Sequence, residues 1–376
     1  MTTTASASSA ASASSAPSAS TAPSTHNPLG PDWAFLDATL PSLVGNPLSG
    51  RDLLRLSDLT PHELHLVLSV AVAQKAAWQR DPQHEIAHAP YPEKAVAIIL
   101  EKPSLRTRIS FEIGASRLGM HAAVMSDKNS AFSRDESIKD TIQVLERFVD
   151  CIILRTFEQE KVEEVALHAR IPVINALTDV FHPCQILADL LTMYEHKGDL
   201  SKLKVAYVGD GNNIVHTFLD AAALIGFELR IASPRGYEPD EQIVEECRAA
   251  IKEHTAADES AIQIGCDPAW ALQGADVVIT DTWTSMGDEA EAEKRREAFA
   301  GYTVDAAAMS IAAPDAIFIH CLPAHRGEEV TDEVMDGMQS AIYDEAENRL
   351  HAQKALMSLL IAPNTPDKFK EVREAG

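Results

Sequence analysis

The residues with the clearest capacity for chemistry lie directly after short apolar runs, where predicted strands end. The first group is residues 101–108, EKPSLRTR, which connect a strand to a helix. Ser104 can cap that helix, and the free backbone N–H groups of its first turn can bind an anion. Arg106 and Thr107 add a guanidinium and a hydroxyl that suit a phosphate group. The alternative is a capped helix with surface arginines, and this stretch by itself leaves both open.

Two further groups follow the next strands of the same half. Arg155 comes directly after CIIL and must either point into a crevice or form a salt bridge. His182 opens a helix at HPCQ (182–185), where the helix N-terminus keeps an imidazole neutral or makes it a donor to an oxyanion. Gln185 supplies an amide that can orient a carbonyl or amide substrate. The alternative for His182 is a role as the helix cap.

The loop VGDGNN at residues 208–213 superficially resembles a dinucleotide-binding loop. Ile214 stands where the fingerprint requires its third glycine, and no clear acid closes a following strand. These departures argue against a nicotinamide site. A loop with two asparagines instead suits a polar, zwitterionic ligand.

The last two groups are DTWTSMG at residues 281–287 and HCLP at residues 320–323, and both follow apolar strands. Asp281 can hold a substrate ammonium. Cys321 lies near helix termini that could lower the pKa of its thiol, although a buried, inert thiol is the alternative. A covalent role would need a paired base, and alternation along the strand is expected to direct His320 to the opposite side. The same argument disfavours a zinc site built from these two residues.

The elements that must position these residues form two runs of alternating strands and helices. The first run has strands near 95–100, 122–125, 151–154 and 172–175, and a helix near 184–196 leads to a second run. Its strands are expected near 203–208, 228–232, 261–264, 277–280 and 317–320, and a last amphipathic helix covers 345–361. The pattern predicts an α/β protein with two doubly wound parallel-sheet domains. Ligands bind beyond the carboxyl ends of such strands, where the groups above lie.

Composition excludes several classes of function. The 376 residues carry a formal net charge of −24, which disfavours binding to nucleic acid or to an anionic membrane. No run of 18 apolar residues is present, so no transmembrane helix is expected. The cysteines are odd in number and form no CxxC pair, which favours a reducing cytoplasm over a disulfide framework or a structural zinc site.

The N-terminal segment differs from the rest of the chain. All but three of residues 1–25 are Ser, Ala or Thr, so the segment cannot form an apolar face. We expect a mostly disordered extension over residues 1–50. It has neither the basic start and apolar stretch of a secretory signal nor the arginines of a mitochondrial transit peptide.

Taken together and in this order, the groups resemble the ornithine carbamoyltransferases over about residues 50–363. The stretches are SLRTR (104–108), HPCQ (182–185), GDGNN (209–213), DTWTSMG (281–287), HCLP (320–323) and EAENR (345–349). The first two are similar to the carbamoyl-phosphate elements shared with aspartate carbamoyltransferase. The SMG loop and HCLP are similar to elements of the ornithine enzymes.

The resemblance implies transfer of the carbamoyl group of carbamoyl phosphate to L-ornithine, giving L-citrulline and phosphate in arginine biosynthesis, without a metal or organic cofactor. It implies a carbamoyl-phosphate domain at 51–190, an ornithine domain at 191–345, and a C-terminal segment at 346–376 whose helix packs back on the first domain. It implies a homotrimer or a multiple of trimers. The implied ligands of carbamoyl phosphate are Ser104, Leu105, Arg106, Thr107, Arg155, His182, Gln185, Cys321, Leu322 and Arg349. Those of ornithine are Asn213, Asp281, Ser285 and Met286, and the implied catalytic residues are Cys321, Arg155 and His182.

Two positions depart from the family pattern. Leu105 replaces the common threonine, so only its backbone N–H remains to bind phosphate. The residue that the family sends from a neighbouring subunit falls near Ala131, so either Ser130, Ser133 or Arg134 replaces it or the contact is missing. The alternatives are a carbamoyltransferase for another amine, such as putrescine or an N-acylated ornithine, and a non-catalytic binding protein on the same fold.

Overall fold

Two parallel β-sheets form the framework of the protein. The computed structural model describes residues 30–37, 46–126, 132, 136–284 and 289–362. The first sheet contains β1 (Ala95–Leu100), β2 (His121–Ser126), β3 (Cys151–Arg155) and β4 (Val173–Leu177). The second contains β5 (Lys204–Val208), β6 (Glu228–Ala232), β7 (Ile262–Gly265), β8 (Val277–Ile279) and β9 (Ile317–Ile319). This architecture confirms the predicted α/β class with two doubly wound sheets.

Helices connect successive strands and cover both sheets. The first half contains α1 (Pro61–Arg80), α2 (Pro82–Ala87), α3 (Leu105–Arg117), α4 (Ile138–Leu145), α5 (Gln159–His168) and α6 (Pro183–Lys197). The second half contains α7 (Asn213–Ile225), α8 (Glu241–His254), α9 (Pro268–Leu272), α10 (Ala292–Ala298), α11 (Ala306–Ile311) and α12 (Asp332–Met335), and α13 (Ile342–Leu360) follows. Single-turn helices lie at Leu56–Asp58, Leu200–Lys202, Glu259–Ala261 and Glu289–Glu291. No helix among the described residues is both long and apolar enough to span a bilayer.

The strand order creates one crevice in each sheet. The first sheet has the order β2-β1-β3-β4 and the second the order β7-β6-β5-β8-β9. The winding direction therefore reverses between β1 and β3 and again between β5 and β8. Ligands bind at such switch points, beyond the carboxyl ends of the two strands. Some predicted site residues lie at or after the ends of these four strands, and others follow β4 and β9 or lie on α13.

The apolar strands are covered on both faces. Ile98 and Ile153 face the larger of the hydrophobic cores, whereas Ile99 and Leu154 face a smaller one on the other side of the first sheet. Successive side chains of a strand alternate between its faces, so a strand buried on both sides is a continuous apolar run. The larger core continues through α6 and α13 into the second sheet.

Helix α13 returns to the first half, as the resemblance to the family implied. It packs against α1, α3 and α6. Gly114 of α3 permits the close approach, because a Cβ at that position would lie 3.1 Å from the Cε atom of Met357. This packing brings Arg349, which α13 carries, to the crevice of the first sheet.

Polar contacts join the two halves beside α6. The buried Asp220 of α7 accepts a hydrogen bond of 2.9 Å from the guanidinium of Arg55. The backbone N–H of His182 donates to the hydroxyl of Thr217, also on α7, at 2.9 Å. These bonds hold the start of α6 against the second half.

Two regions differ from the sequence-based expectation. The predicted disordered extension at 1–50 lies largely outside the described residues, but Trp33, Leu36 and Leu48 within it are buried in the larger core. These apolar residues follow the Ser/Ala/Thr-rich tract, and they are buried because they pack against the larger core. Between β8 and β9 the structure adds α10 and α11, which were not predicted because their apolar positions are too few for a clear helical period.

Candidate active site

A cleft of about 690 Å³ lies between the carboxyl ends of the two sheets. Most of the predicted site residues line it: Ser104, Leu105, Arg106, Arg155, His182, Gln185, Asn213, Asp281, Cys321, Leu322 and Arg349. Thr107 lies behind this lining and is buried. Ser285 and Met286 lie outside the described residues. The cleft therefore brings together groups that are up to 245 positions apart, from Ser104 to Arg349.

The N-terminus of α3 forms one wall of the cleft. The hydroxyl of Ser104 accepts a hydrogen bond of 3.2 Å from the backbone N–H of Thr107, which confirms the predicted cap. The side chain of Leu105 is 75% exposed, so this residue brings only backbone polar groups to the helix start. The free N–H groups of the first turn form an anion-binding position.

Three arginines converge on this end of the cleft. Arg106 comes from α3, Arg155 from the end of β3 and Arg349 from α13. Burial, together with the positive charges of Arg349 and Arg106, lowers the pKa of Arg155 to about 10. Arg155 therefore remains protonated at neutral pH, and its Nε atom has no hydrogen-bond partner among the described residues. Such a concentration of buried positive charge suits an anionic ligand.

His182 lies beside the arginines as a neutral imidazole. Burial lowers the pKa of His182 well below its usual range, and the neighbouring Arg349 and Arg155 add to the effect. Its side chain makes no capping hydrogen bond to α6, and its buried Nδ1 atom has no partner among the described residues. The helix-cap alternative is therefore wrong, and the ring is available to a ligand.

Gln185 lies in the lining of the cleft, and its side-chain amide contacts other residues of the protein. Its Oε1 atom accepts a hydrogen bond of 2.5 Å from Arg349, and its Nε2 atom donates to Asp189 and Glu345, at 2.8 Å each. The amide is therefore engaged on both sides and orients Arg349. The sequence pattern gave no sign of these partners, because they come from positions four residues later on the same helix and from α13.

Lys102 belongs to the cleft lining and was not among the predicted residues. Its buried ammonium donates to the carboxylate of Asp179 and lies 4.3 Å from the centre of the Phe157 ring. Its position directly after the β1 strand end was the available signal. Lys102 adds a fourth cation to the anion-binding end.

The opposite end of the cleft is organised by Asp281. Its Oδ1 atom accepts hydrogen bonds from the Cys321 thiol at 3.0 Å and from the Thr282 backbone N–H at 2.8 Å. Its Oδ2 atom accepts from the Nδ2 atom of Asn212 at 2.8 Å. Asp281 accepts three hydrogen bonds, so the geometry suits a carboxylate. Asn212 was overlooked, although it adjoins the predicted Asn213, whose amide donates to the Thr178 carbonyl at 2.6 Å.

The prediction that helix termini lower the pKa of Cys321 is wrong. Burial raises the pKa of the Cys321 thiol well above its usual range, and the negative charge of Asp281 raises it further. Proximity to Asp281 could not be read from the sequence, because 40 positions separate the two residues. Cys321 is a neutral thiol at physiological pH.

The expected orientation of His320 away from Cys321 is also wrong. One ring nitrogen of His320 lies within 4.8 Å of both the Cys321 sulfur and an Asp281 oxygen. Strand β9 ends at Ile319, so alternation no longer applies, and Leu322 has a φ of 55° in the left-handed region. The imidazole folds under this turn, with Nδ1 accepting from the Leu322 N–H at 2.9 Å and Nε2 facing Glu329 at 3.3 Å.

The two ends of the cleft are complementary in charge. Arginines, Lys102 and a helix N-terminus lie at one end, and Asp281 lies at the other with Cys321 between them. The fold and the cleft thus define an enzyme that brings an anionic substrate to a second, cationic or amine-bearing substrate.

Comparisons with known proteins agree with this description. Family models for the carbamoyl-P binding domain and the Asp/Orn binding domain of aspartate/ornithine carbamoyltransferase match residues 51–195 and 201–360. The ornithine carbamoyltransferase of Symbiobacterium thermophilum is 51% identical, over 84% of this chain and 99% of the relative. That of Pyrococcus abyssi is 45% identical, over 84% and 96%. The solved ornithine carbamoyltransferase from Pyrococcus furiosus matches with a TM-score of 0.78 and 44% identity, over 84% and 98%. The chain belongs to the aspartate/ornithine carbamoyltransferase family.

The hydrogen bond between Cys321 and Asp281 leads to a prediction about thiol reactivity. We expect iodoacetamide at about pH 8 to alkylate Cys321 more slowly than the exposed Cys266, because only the thiolate reacts. Asp281→Asn removes the negative charge and should accelerate alkylation of Cys321 about tenfold, the effect of one pKa unit. Mass spectrometry of the modified peptides measures both rates. The Cys266 rate should be the same in both proteins, and an unchanged Cys321 rate would contradict the assigned cause.

Proposed function

We propose that this protein is an ornithine carbamoyltransferase, which transfers the carbamoyl group of carbamoyl phosphate to the side-chain amine of L-ornithine. The observation that carries the proposal is the cleft itself, where a cationic end and Asp281 face each other across Cys321. The relatives that carry this name align with the chain over almost their entire length. The products are L-citrulline and phosphate.

The cationic end holds carbamoyl phosphate. The phosphate group binds the N-terminus of α3 through Ser104, the backbone of Leu105, and the side chains of Arg106 and Thr107. Arg349 closes this position from α13, where it donates to the Thr107 hydroxyl at 3.3 Å. The charge of the arginines is concentrated enough to hold the dianion despite the net charge of −24.

The reaction develops negative charge on the carbonyl oxygen of the donor. Attack by an amine gives a tetrahedral oxyanion, which preorganised donors stabilise more strongly than they stabilise the substrate. Arg155 keeps its charge and has an unpartnered Nε atom. His182 is held neutral and can donate a hydrogen bond without adding further positive charge. These two residues stabilise the oxyanion. The C–O bond to phosphate then breaks, and the leaving phosphate takes up the proton that the attached amine loses.

The acceptor end prepares the amine. Asn213 and Asp281 bind ornithine together with Ser285 and Met286, and Asp281 holds an ammonium group of the amino acid. The attacking amine must be uncharged, and Cys321 lies between this end and the donor. The neutral thiol orients the amine and does not become covalently attached. Leu322 contacts both ligands from the same turn.

Closure of the cleft aligns the reactants. The guanidinium of Arg106 in the first half donates to the Leu322 carbonyl in the second half. The bond links the phosphate loop directly to the HCLP turn. Exclusion of water and fixed alignment both lower the barrier to a two-substrate reaction.

A trimer is the proposed assembly. Leu105, Ile109 and Ile113 lie at spacings of four residues on one face of α3, and each is 40% or more exposed. Strand β2, which packs against α3, is an edge strand. Exposed apolar faces of this kind mark contact surfaces, and this one adjoins the phosphate position. None of the five cysteines, all of which lie in the described ranges, forms a disulfide, in keeping with the proposed location in the reducing cytoplasm.

An amine panel tests the activity. We expect purified protein with carbamoyl phosphate to form citrulline from L-ornithine, with kcat/KM at least about a hundredfold higher than for putrescine or N-acetylornithine. Each analogue lacks one charged group of the free amino acid, so the partner of that group in the site is left unpaired. Preference for either analogue would show that this analogue, and not ornithine, is the acceptor. Absence of turnover in folded protein would reject the proposed enzymatic activity.

Arg106→Ala removes one part of the phosphate clamp. The expected loss is about 3 kcal/mol of transition-state stabilisation, or about a hundredfold in kcat/KM. Arg108→Ala is the matched control, because Arg108 follows on the same helix, pairs with Glu112 and has a side chain 49% exposed. In steady-state kinetics, the transition-state stabilisation calculated from kcat/KM of this control should lie within about 0.5 kcal/mol of the value for the original enzyme. Equal effects of the two substitutions would contradict the assignment of Arg106.

Ile109→Glu tests the proposed contact surface of α3. A charge in an apolar contact is left desolvated, so we expect the trimer to dissociate and the mass measured by light scattering to fall to that of a monomer. Leu167→Glu on α5 is the control, because this leucine is 71% exposed and distant in sequence from the proposed surface. If Ile109→Glu still forms a trimer, the interface between subunits does not include this face of α3.

A further inference from the structure

Two carboxyl groups are buried together beneath the anion-binding end of the cleft. Asp189 of α6 and Glu345 of α13 are 2% and 1% exposed. Neither forms an ion pair with a lysine or arginine within the described ranges. Two unpaired buried negative charges are costly, so the pair needs another form of compensation.

Hydrogen bonds supply part of that compensation. The Nε2 atom of Gln185 donates to one oxygen of each carboxyl group, at 2.8 Å. The other oxygen of Glu345 accepts from the backbone N–H of His320 at 2.8 Å. One NH₂ group thus has both carboxyl groups within hydrogen-bond distance, so the two acids lie side by side, and a proton on one of them would remove one of two adjacent negative charges. Burial raises the pKa of Asp189 to about 7 and raises that of Glu345 as well.

The contacts determine the orientation of the Gln185 amide. Both carboxyl groups accept from its nitrogen, so its oxygen must face the other way, where it accepts from Arg349. A reversed amide would direct its NH₂ group at the guanidinium and leave the acids without a donor. Arg349 thus obtains its orientation toward the cleft from a pair of acids that do not line it.

We propose that Asp189 and Glu345 hold a single shared proton and act as a positioning pair, which fixes Gln185 and Arg349 for the anionic donor substrate. Glu345 also connects this network to the HCLP turn through His320. The inference rests on the proposed function, because it assigns carbamoyl phosphate as the anion.

Charge balance explains why one proton matters. With one proton the pair carries a single negative charge, which balances Arg349. Loss of that proton places a second negative charge behind the anion site and weakens anion binding. The other charged or titratable groups that face the pair are Arg349 on α13, Asp281 after β8 and Cys321 after β9. Affinity for an anion should therefore decrease as the pH rises above neutrality.

The first test measures carbamoyl phosphate binding by calorimetry without ornithine, between about pH 6 and pH 9. Asp189→Asn places a permanent N–H donor where the shared proton lies and keeps one negative charge on Glu345. From the low to the high end of this pH range, we expect the affinity of the unmodified protein for carbamoyl phosphate to fall about tenfold relative to that of Asp189→Asn. The ratio of the two dissociation constants cancels the titration of the ligand itself.

Glu345→Gln tests the positioning role, because an NH₂ group replaces one of the two oxygens that accept from Gln185 and His320 and so faces a donor. We expect about tenfold weaker binding at every pH. Glu195→Gln is the matched control, since Glu195 also links α6 to α13 through Asn348 and Lys75 but does not line the cleft. It should show the affinity and pH dependence of the unmodified protein.

Two outcomes would overturn the proposal. One is an identical pH dependence in the unmodified protein and Asp189→Asn, and the other is equal binding by Glu345→Gln and Glu195→Gln. Circular dichroism establishes that each variant is folded, and the Asp189→Asn comparison decides the shared proton if Glu345→Gln fails to fold. The measurement needs no turnover, so an enzyme that binds as expected but forms no citrulline would reject only the proposed function.

Discussion

The concentration of three guanidinium groups at one end of the cleft, two of them buried, is the constraint on which the rest of the site depends. Arg106, Arg155 and Arg349 converge on one end of the cleft, and burial, followed by the charges of Arg349 and Arg106, lowers the pKa of Arg155. Such an arrangement is stable only when the surrounding scaffold holds each group in place and an anion or a buried acid compensates the charge. The α3 cap, the end of β3 and the returning helix α13 provide that scaffold.

The compensation comes from two separate sources. Behind the site, Gln185 donates to Asp189 and Glu345 and accepts from Arg349, so that the orientation of one arginine is fixed by other residues of the protein. In front of it, the charge of Arg106 and Arg155 is available to the ligand. At the far end, Asp281 is held by Asn212, Thr282 and Cys321, so the negative group for the amine substrate is equally fixed. Opposite charges thus lie at opposite ends of the cleft, each held by its own set of partners.

The strand ends were predictable, and so were many of the residues that line the cleft, although Lys102 and Asn212 were missed. Parallel strands buried on both faces are continuous apolar runs, and the switch points of two doubly wound sheets lie where those runs end. Arg155 and Asp281 could therefore be selected from one-dimensional pattern alone. Errors arose where a residue acts through partners distant in the chain. The raised pKa of Cys321 comes from its burial and from Asp281, and the orientation of His320 comes from a turn that follows a strand shorter than expected.

The amino-acid sequence by itself determined the α/β class, the approximate element boundaries and the chemical types present at each strand end. These follow from local periodicity, from capping residues such as Ser104 and from apolar runs, which depend on near neighbours. Only the tertiary structure decided which charges meet and which atoms remain free. The partners of Gln185, the donors to Asp281 and the burial of Asp189 and Glu345 all arise from packing between α6, α13 and the second sheet. Electrostatic and hydrogen-bond energies depend on distance in space and on exclusion of water, and neither quantity is encoded by spacing along the chain.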